Sequence, residues 1–269
     1  MKPKSNTTIG KTTFYLNIGL FMICLLTLIG LREYGIQTLQ ENGDFTYDSH
    51  TYLRLTANIL IIILALAFMK INKLFTWAGW GFGKIEKGYL LIFPLLYLPL
   101  INYLFMDDVD TKVLFPHILL LLGYCISIGF SEELALRAVL QSYIIKYLKK
   151  DKKRVLYGVF GAAFFFAILH LIKFDKGVYG EMAQLLFAFF IGSMFGMLLL
   201  VTKRLYPLIV IHAIIDFVAK LDNAGIPIDG NGAEPTSLIS ALASVVLTLP
   251  CMLYAWFLYK KYKAMPSGN

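Results

Sequence analysis

Six ionisable side chains, Glu132, Glu133, Arg137, His170, His212 and Asp216, stand inside apolar runs of this chain. Charge is expensive in such surroundings and marks a functional site by default. Carboxylates and imidazoles are the groups that accept and return protons near neutral pH, so the set suits acid–base work. Each member also has a plainer reading. Glu133 and Arg137 are four apart on a helix and would neutralise one another as an intrahelical pair. Glu132 points about 100° away around that helix, and one arginine does not satisfy two adjacent carboxylates. His170 or His212 alone would be an interhelical hydrogen-bond donor. Two such histidines beside a spare carboxylate are a candidate cluster. His212 and Asp216 lie one turn apart and face a common neighbour, and Phe166 sits one turn before His170. His117, near the start of the run that carries the glutamates, is the remaining histidine within a span.

The elements that must hold these residues are set by composition. A chain of 269 residues that is 58% hydrophobic and 16% charged carries more apolar surface than one soluble core hides, so its solvent is lipid. A bilayer core needs roughly 20 apolar residues per helical crossing. Eight runs approach that length: Phe14 to Leu31, Leu55 to Met69, Gly88 to Phe105, Val113 to Leu148, Val155 to Ile172, Met182 to Val201, Tyr206 to Val218 and Leu238 to Tyr259. They are apolar all round, unlike the alternating strands of a barrel, which predicts an all-α polytopic protein of about eight transmembrane helices. The first run lacks a small-residue cleavage site before Arg32 and reads as a retained span. Residues 1–269 read as a single membrane domain, with no repeat or low-complexity linker.

Orientation follows from the basic residues. One set of alternate loops and ends collects 18 of the 25 Lys and Arg, among them Lys2, Lys4, Lys11, Lys70, Lys73, Lys84, Lys87, Lys146, Lys149, Lys150, Lys152, Lys153, Arg154, Lys203 and Arg204. The other set holds Arg32, Arg54, Lys112, Lys173, Lys176 and Lys220 with most of the acids, including Glu33, Asp44, Asp107, Asp222 and Glu234. This bias places both termini in the cytoplasm and the chain in the cell membrane as a multi-pass protein. It also accounts for the net charge of +8 without any nucleic-acid partner. Cys24, Cys125 and Cys251 show neither disulfide nor metal spacing. Gly192 and Gly196 form a GxxxG that reads as close helix packing, and Pro94 and Pro99 predict a kink in the third span.

An antiparallel hairpin turning near Asp151 sets Glu132 level with His170, at about 1.5 Å of rise per residue. His212 is harder to bring to that depth on straight helices, being roughly 12 Å past Arg204 while Glu132 is roughly 25 Å from Lys149. A fourth run of some 36 residues is too long for one crossing. The segment Ala138 to Lys150 would then overhang the cytoplasmic face, lie on the surface, or follow a break.

The string Glu132-Glu133-Leu134-Ala135-Leu136-Arg137 fits EExxxR, Phe166 to His170 fits FxxxH, and His212 to Asp216 fits HxxxN/D. In that order, on three separate spans, these motifs resemble the CAAX-protease and bacteriocin-processing family, also called the ABI family, over Val113 to Val218. The resemblance implies an intramembrane endopeptidase. Glu132 would activate water with the help of His170, Glu133 and Arg137 would orient that pair, and His212 and Asp216 would face the developing oxyanion. An ionised Asp216 donates no hydrogen bond where relatives carry Asn, so it would be protonated, orient His212, or bind metal. Glu132, His170, His212 and Asp216 equally make a possible ligand set for a divalent metal such as zinc. The implied partners are membrane lipid and a membrane-associated peptide or protein. The substrate would be a prenylated C-terminal peptide, or in a bacterial host a signal, leader or bacteriocin-like peptide. HExxH, GxSG and GxGD, the signatures of other intramembrane proteases, are absent. Two other classes are open: a catalytically silent scaffold or immunity protein of the same fold, and an ion-coupled transporter, for which the repeats are missing.

Overall fold

The computed structural model describes residues 11–148, 151, 153–172, 176–226 and 235–264. Lys2, Lys4, Lys149, Lys150, Lys152, Lys173 and Glu234 of the charge pattern lie outside these residues. Among the described residues every regular element is a helix: α1 (Lys11–Glu41), α2 (Tyr47–Ile71), α3 (Ile92–Leu104) entered by a 3₁₀ turn, α4 (Thr111–Glu132), a π-helix (Glu133–Gln141), α5 (Ser142–Tyr147), α6 (Arg154–Leu169), α7 (Gly177–Thr202), α8 (Tyr206–Val218) and α9 (Leu238–Lys263). Among the described residues six helices are long and apolar enough to cross a membrane, and two shorter apolar ones, Gly88–Leu104 and Tyr206–Val218, complete the eight runs read from the sequence.

Helix starts have local causes. Thr46 and Ser49 form a reciprocal capping box at α2, and Asp110 and Ser237 accept backbone N–H groups at the starts of α4 and α9. Pro94 falls in the first turn of α3, where a missing N–H costs nothing, while Pro99 lies inside the helix.

Two expectations change. Arg32, Glu33 and Arg54 are not in loops: α1 runs ten residues beyond Leu31 and α2 begins eight residues before Leu55, so all three sit within helices. The long fourth run neither breaks nor turns onto the surface. Thr111–Tyr147 is continuously helical and passes through the π segment, whose nine residues are all buried. The wider i→i+5 turn lets the chain adjust its register at the level of the charged residues without a break.

The core lies along this continuous run. α4 packs on α2 and α8, and α7 packs on α6 and α9. Leu134, Ala138, Val139 and Tyr143 from the α4 continuation meet Met194, Phe195 and Leu198 of α7 and Leu208 of α8 in one apolar cluster. The pair Gly192 and Gly196 is used inside the molecule. A Cβ on Gly192 would stand 3.1 Å from Ala163 Cβ, and one on Gly196 would stand 2.7 Å from Gln141 Oε1. These glycines bring α7 against α6 and the π segment, where Gln141 Nε2 donates to the Gly196 carbonyl at 3.0 Å.

Candidate active site

The six ionisable residues come from three places in the bundle: Glu132, Glu133 and Arg137 from the junction of α4 with the π-helix, His170 from the 3₁₀ turn (His170–Ile172) that follows α6, and His212 and Asp216 from α8. Their convergence depends on how closely α4 and α8 approach. A Cβ on Gly129 would lie 2.7 Å from the Ile209 carbonyl oxygen, so only glycine allows this contact. Beside this contact the Glu133 side chain reaches α8, and His212 Nδ1 meets Glu133 Oε1 at 2.8 Å.

Glu133 is fully buried and also faces Arg137 Nη1 at 3.0 Å through the same oxygen. The guanidinium carbon of Arg137 is 5.4 Å from the Phe166 ring centroid and 5.5 Å from that of Phe195. A buried cation held by a carboxylate and two aromatic faces is thus the underlayer of the site. Phe166 gains a double role, since its ring also meets the His170 imidazole edge-on at 4.6 Å. The Phe of the FxxxH motif therefore ties the histidine to the arginine.

Hydrogen-bond partners assign the imidazoles. The Phe166 carbonyl only accepts, so His170 Nδ1, 2.9 Å away, donates to it, and Nε2 is the nitrogen not engaged in that bond. His212 likewise donates from Nδ1 to the Glu133 carboxylate, which turns its Nε2 toward Glu132 Oε2 at 3.5 Å and Asp216 Oδ1 at 4.0 Å. Asp216 Oδ2 faces Lys220 Nζ at 3.4 Å, one helical turn on.

Glu132, His170, His212, Asp216 and Lys220 all line one cavity of about 610 Å³, whose wall also includes Arg32, Glu33 and Arg54. Glu133 and Arg137 do not line it and lie behind it. Glu132 is the accessible carboxylate, with its side chain 34% exposed against none for Glu133.

His117 stands apart. Its Nδ1 donates to the Val113 carbonyl at 2.8 Å and its Nε2 faces Asp48 at 3.5 Å, and it is not on the cavity wall. Sequence reasoning did not single out Lys220 or the cross-helix bond of Glu133 to His212. Lys220 was legible as the third member of an i, i+4, i+8 stripe with His212 and Asp216. The bond to Glu133 joins residues 79 apart and has no sequence signal.

Residues 114–218 match the family model described as Rce1-like, type II CAAX prenyl endopeptidase Rce1-like. Over these residues the chain matches the CAAX-protease family. The matched segment spans α4 to α8 and so takes in every residue of the charged cluster up to Val218, with Lys220 just beyond. A family of prenyl endopeptidases supports an intramembrane protease. No curated protein and no solved structure matches the chain.

Glu132, His170, His212 and Asp216 are the side chains whose chemistry would suit a divalent metal. Among the described residues no three His, Cys, Asp or Glu side chains are disposed to hold a metal ion, and one oxygen of Asp216 is taken by Lys220. As arranged, these donors do not form a metal-binding set.

Proposed function

We propose that this protein is an intramembrane endopeptidase that cleaves a peptide bond of a membrane-associated peptide or protein with water activated by Glu132. The observation that carries this reading is the division of labour between the two glutamates. Glu132 stands on the cavity wall 3.5 Å from His212, whose other nitrogen is fixed by the buried Glu133. In this reading Glu132 takes a proton from a water that also hydrogen-bonds His170 Nε2, and the hydroxide attacks the scissile carbonyl. The C–N bond then breaks as Glu132 returns the proton to the leaving amine.

The oxyanion needs donors that an ionised Asp216 lacks. Lys220, paired with Asp216, supplies one ammonium at the cavity wall. His212 supplies the other. Three carboxylates, Glu132, Glu133 and Asp216, face two fixed cations, Arg137 and Lys220, and a proton on His212 Nε2 brings the cluster to neutrality. Asp216 thus positions Lys220 and His212. By the positive-inside bias the protein lies in the cell membrane with both termini in the cytoplasm. Its substrate class is the prenylated C-terminal peptide of the family description or, in a host without prenylation, a leader or signal peptide.

The test compares detergent-purified wild type with Glu132→Gln and His170→Ala on a peptide library, with elemental analysis of the same samples. Glu132→Gln is expected to lose about 10²- to 10⁴-fold in hydrolysis, the usual worth of a positioned general base. Unchanged hydrolysis in both variants would remove the catalytic assignment, as would an inert wild type that still co-purifies a membrane partner. A stoichiometric metal lost together with activity would replace the metal-free scheme.

A further inference from the structure

The cavity has a direction. α1 and α8 contribute to it only from their C-terminal parts, between Leu25 and Glu33 and between His212 and Lys220, and α2 contributes only from its N-terminal part, Arg54 to Ile61. In an antiparallel bundle these parts lie toward one face, the face carrying the loops that follow α1, α3, α6 and α8. The rim residues on that face, Ile172, Lys176 and Ala219, are exposed. Toward the opposite face the way is filled. Gly192 to Leu199 of α7 are buried without interruption, and so is the chain from Glu133 to Tyr143.

Charge distinguishes the same two faces. Among the described residues the filled face carries Lys11, Lys70, Lys73, Lys84, Lys87, Lys146, Lys153, Arg154, Lys203, Arg204, Lys260, Lys261 and Lys263, and of the acids only Glu86 and Asp151. The open face carries the acid-rich loops. Positively charged short loops stay on the cytoplasmic side during insertion, whereas acids contribute little to orientation.

From these two independent asymmetries we infer that the catalytic cavity opens away from the cytoplasm and receives its peptide from the extracytoplasmic side. This rests on the peptidase reading and narrows its substrate class. The peptide is a membrane-anchored segment whose scissile bond is exposed on the outer face, such as one already translocated. A bond lying in the cytoplasm does not reach Glu132 by this route.

Sidedness is measured without any substrate. Cys24, Cys125 and Cys251 are replaced by alanine, and single cysteines are then placed by Lys176→Cys and Ala219→Cys at the rim, Ile191→Cys on the wall further in, and Lys84→Cys on the filled face. A membrane-impermeant maleimide is applied to right-side-out and to inverted vesicles. Both rim cysteines and Ile191→Cys are expected to label in right-side-out vesicles and to lose labelling in inverted ones, with Lys84→Cys showing the reverse. Labelling of the rim cysteines from the side that labels Lys84→Cys overturns the inference. So does labelling of all cavity positions only in inverted vesicles, or of Ile191→Cys from neither side while the rim reacts. Hydrolysis plays no part in this readout, so a failed peptidase assay and a failed sidedness assay are separate results.

Discussion

The two ends of the bundle solve different problems with the same helices. Toward the lysine-rich face the interior is a close-packed apolar solid in which Met194, Met197, Leu198, Leu205 and Leu208 have no exposed surface. Toward the other face the same helices part around a cavity of about 610 Å³ walled by Glu132, His170, His212, Asp216 and Lys220. Glu133 and Arg137 lie at the boundary, buried like the first region and charged like the second. A charged site in lipid thus depends on its floor, because the accessible residues keep their geometry only if the buried pair beneath them stays in place.

The sharpest test of that contrast separates stability from chemistry. Arg137→Ala removes the cation that faces Glu133 and lies between Phe166 and Phe195, and leaves the buried carboxylate with His212 as its partner and no guanidinium. Breaking a buried pair in this way costs about 3 to 5 kcal/mol. The variant is expected to show a large fall in melting temperature in detergent together with lost hydrolysis. Glu132→Gln, on the wall and 34% exposed, should lose hydrolysis with little change in melting. Equal thermal shifts in the two variants would erase the distinction between floor and wall.

A smaller effect is expected at the rim. Lys220 and Asp216 have side chains 33% and 18% exposed, so their pairing adds little to stability. As an oxyanion donor, however, Lys220 is worth roughly 10²- to 10³-fold in turnover. Lys220→Met should therefore lower the rate while leaving melting unchanged. Adding Asp216→Asn to it should restore part of the rate, since an amide donates where a carboxylate does not. A further loss in the double variant would show that Asp216 acts otherwise than by holding donors.

Much of this was legible in the sequence, because lipid makes both the spans and the exceptions conspicuous. Long uncharged runs fix the helices, and Glu132, His170 and His212 stand out for lack of any cheaper reason to be there. What was not legible depends on details of packing. The π turn from Glu133 to Gln141 is one such detail, and a run of ordinary residues such as Leu134 to Leu140 does not announce it. The extensions of α1 and α2 that carry Arg32 and Arg54 into the cavity wall are too polar to be read as part of a span. The Glu133 to His212 bond depends on where two helices touch, which is set by Gly129, and a single glycine in a membrane helix has many plain readings.

That contact gives the finest test of how the packed region holds the open one. Gly129→Ala would press a methyl to within 2.7 Å of the Ile209 carbonyl, a backbone atom of α8 that cannot turn aside as a side chain would. α8 must move, and overpacking of this kind costs about 1 to 3 kcal/mol. His212 lies one turn beyond Ile209, so the same shift lengthens its 2.8 Å bond to Glu133. Gly161→Ala is the matched control, because a Cβ there meets nothing within 4 Å, and alanine in a helix interior should raise stability by up to about 1 kcal/mol. Gly129→Ala is expected to lower both melting temperature and hydrolysis, and Gly161→Ala neither. If Gly129→Ala lost stability but kept full activity, α8 would be able to move without His212, and the bond to Glu133 would not be what aims the imidazole.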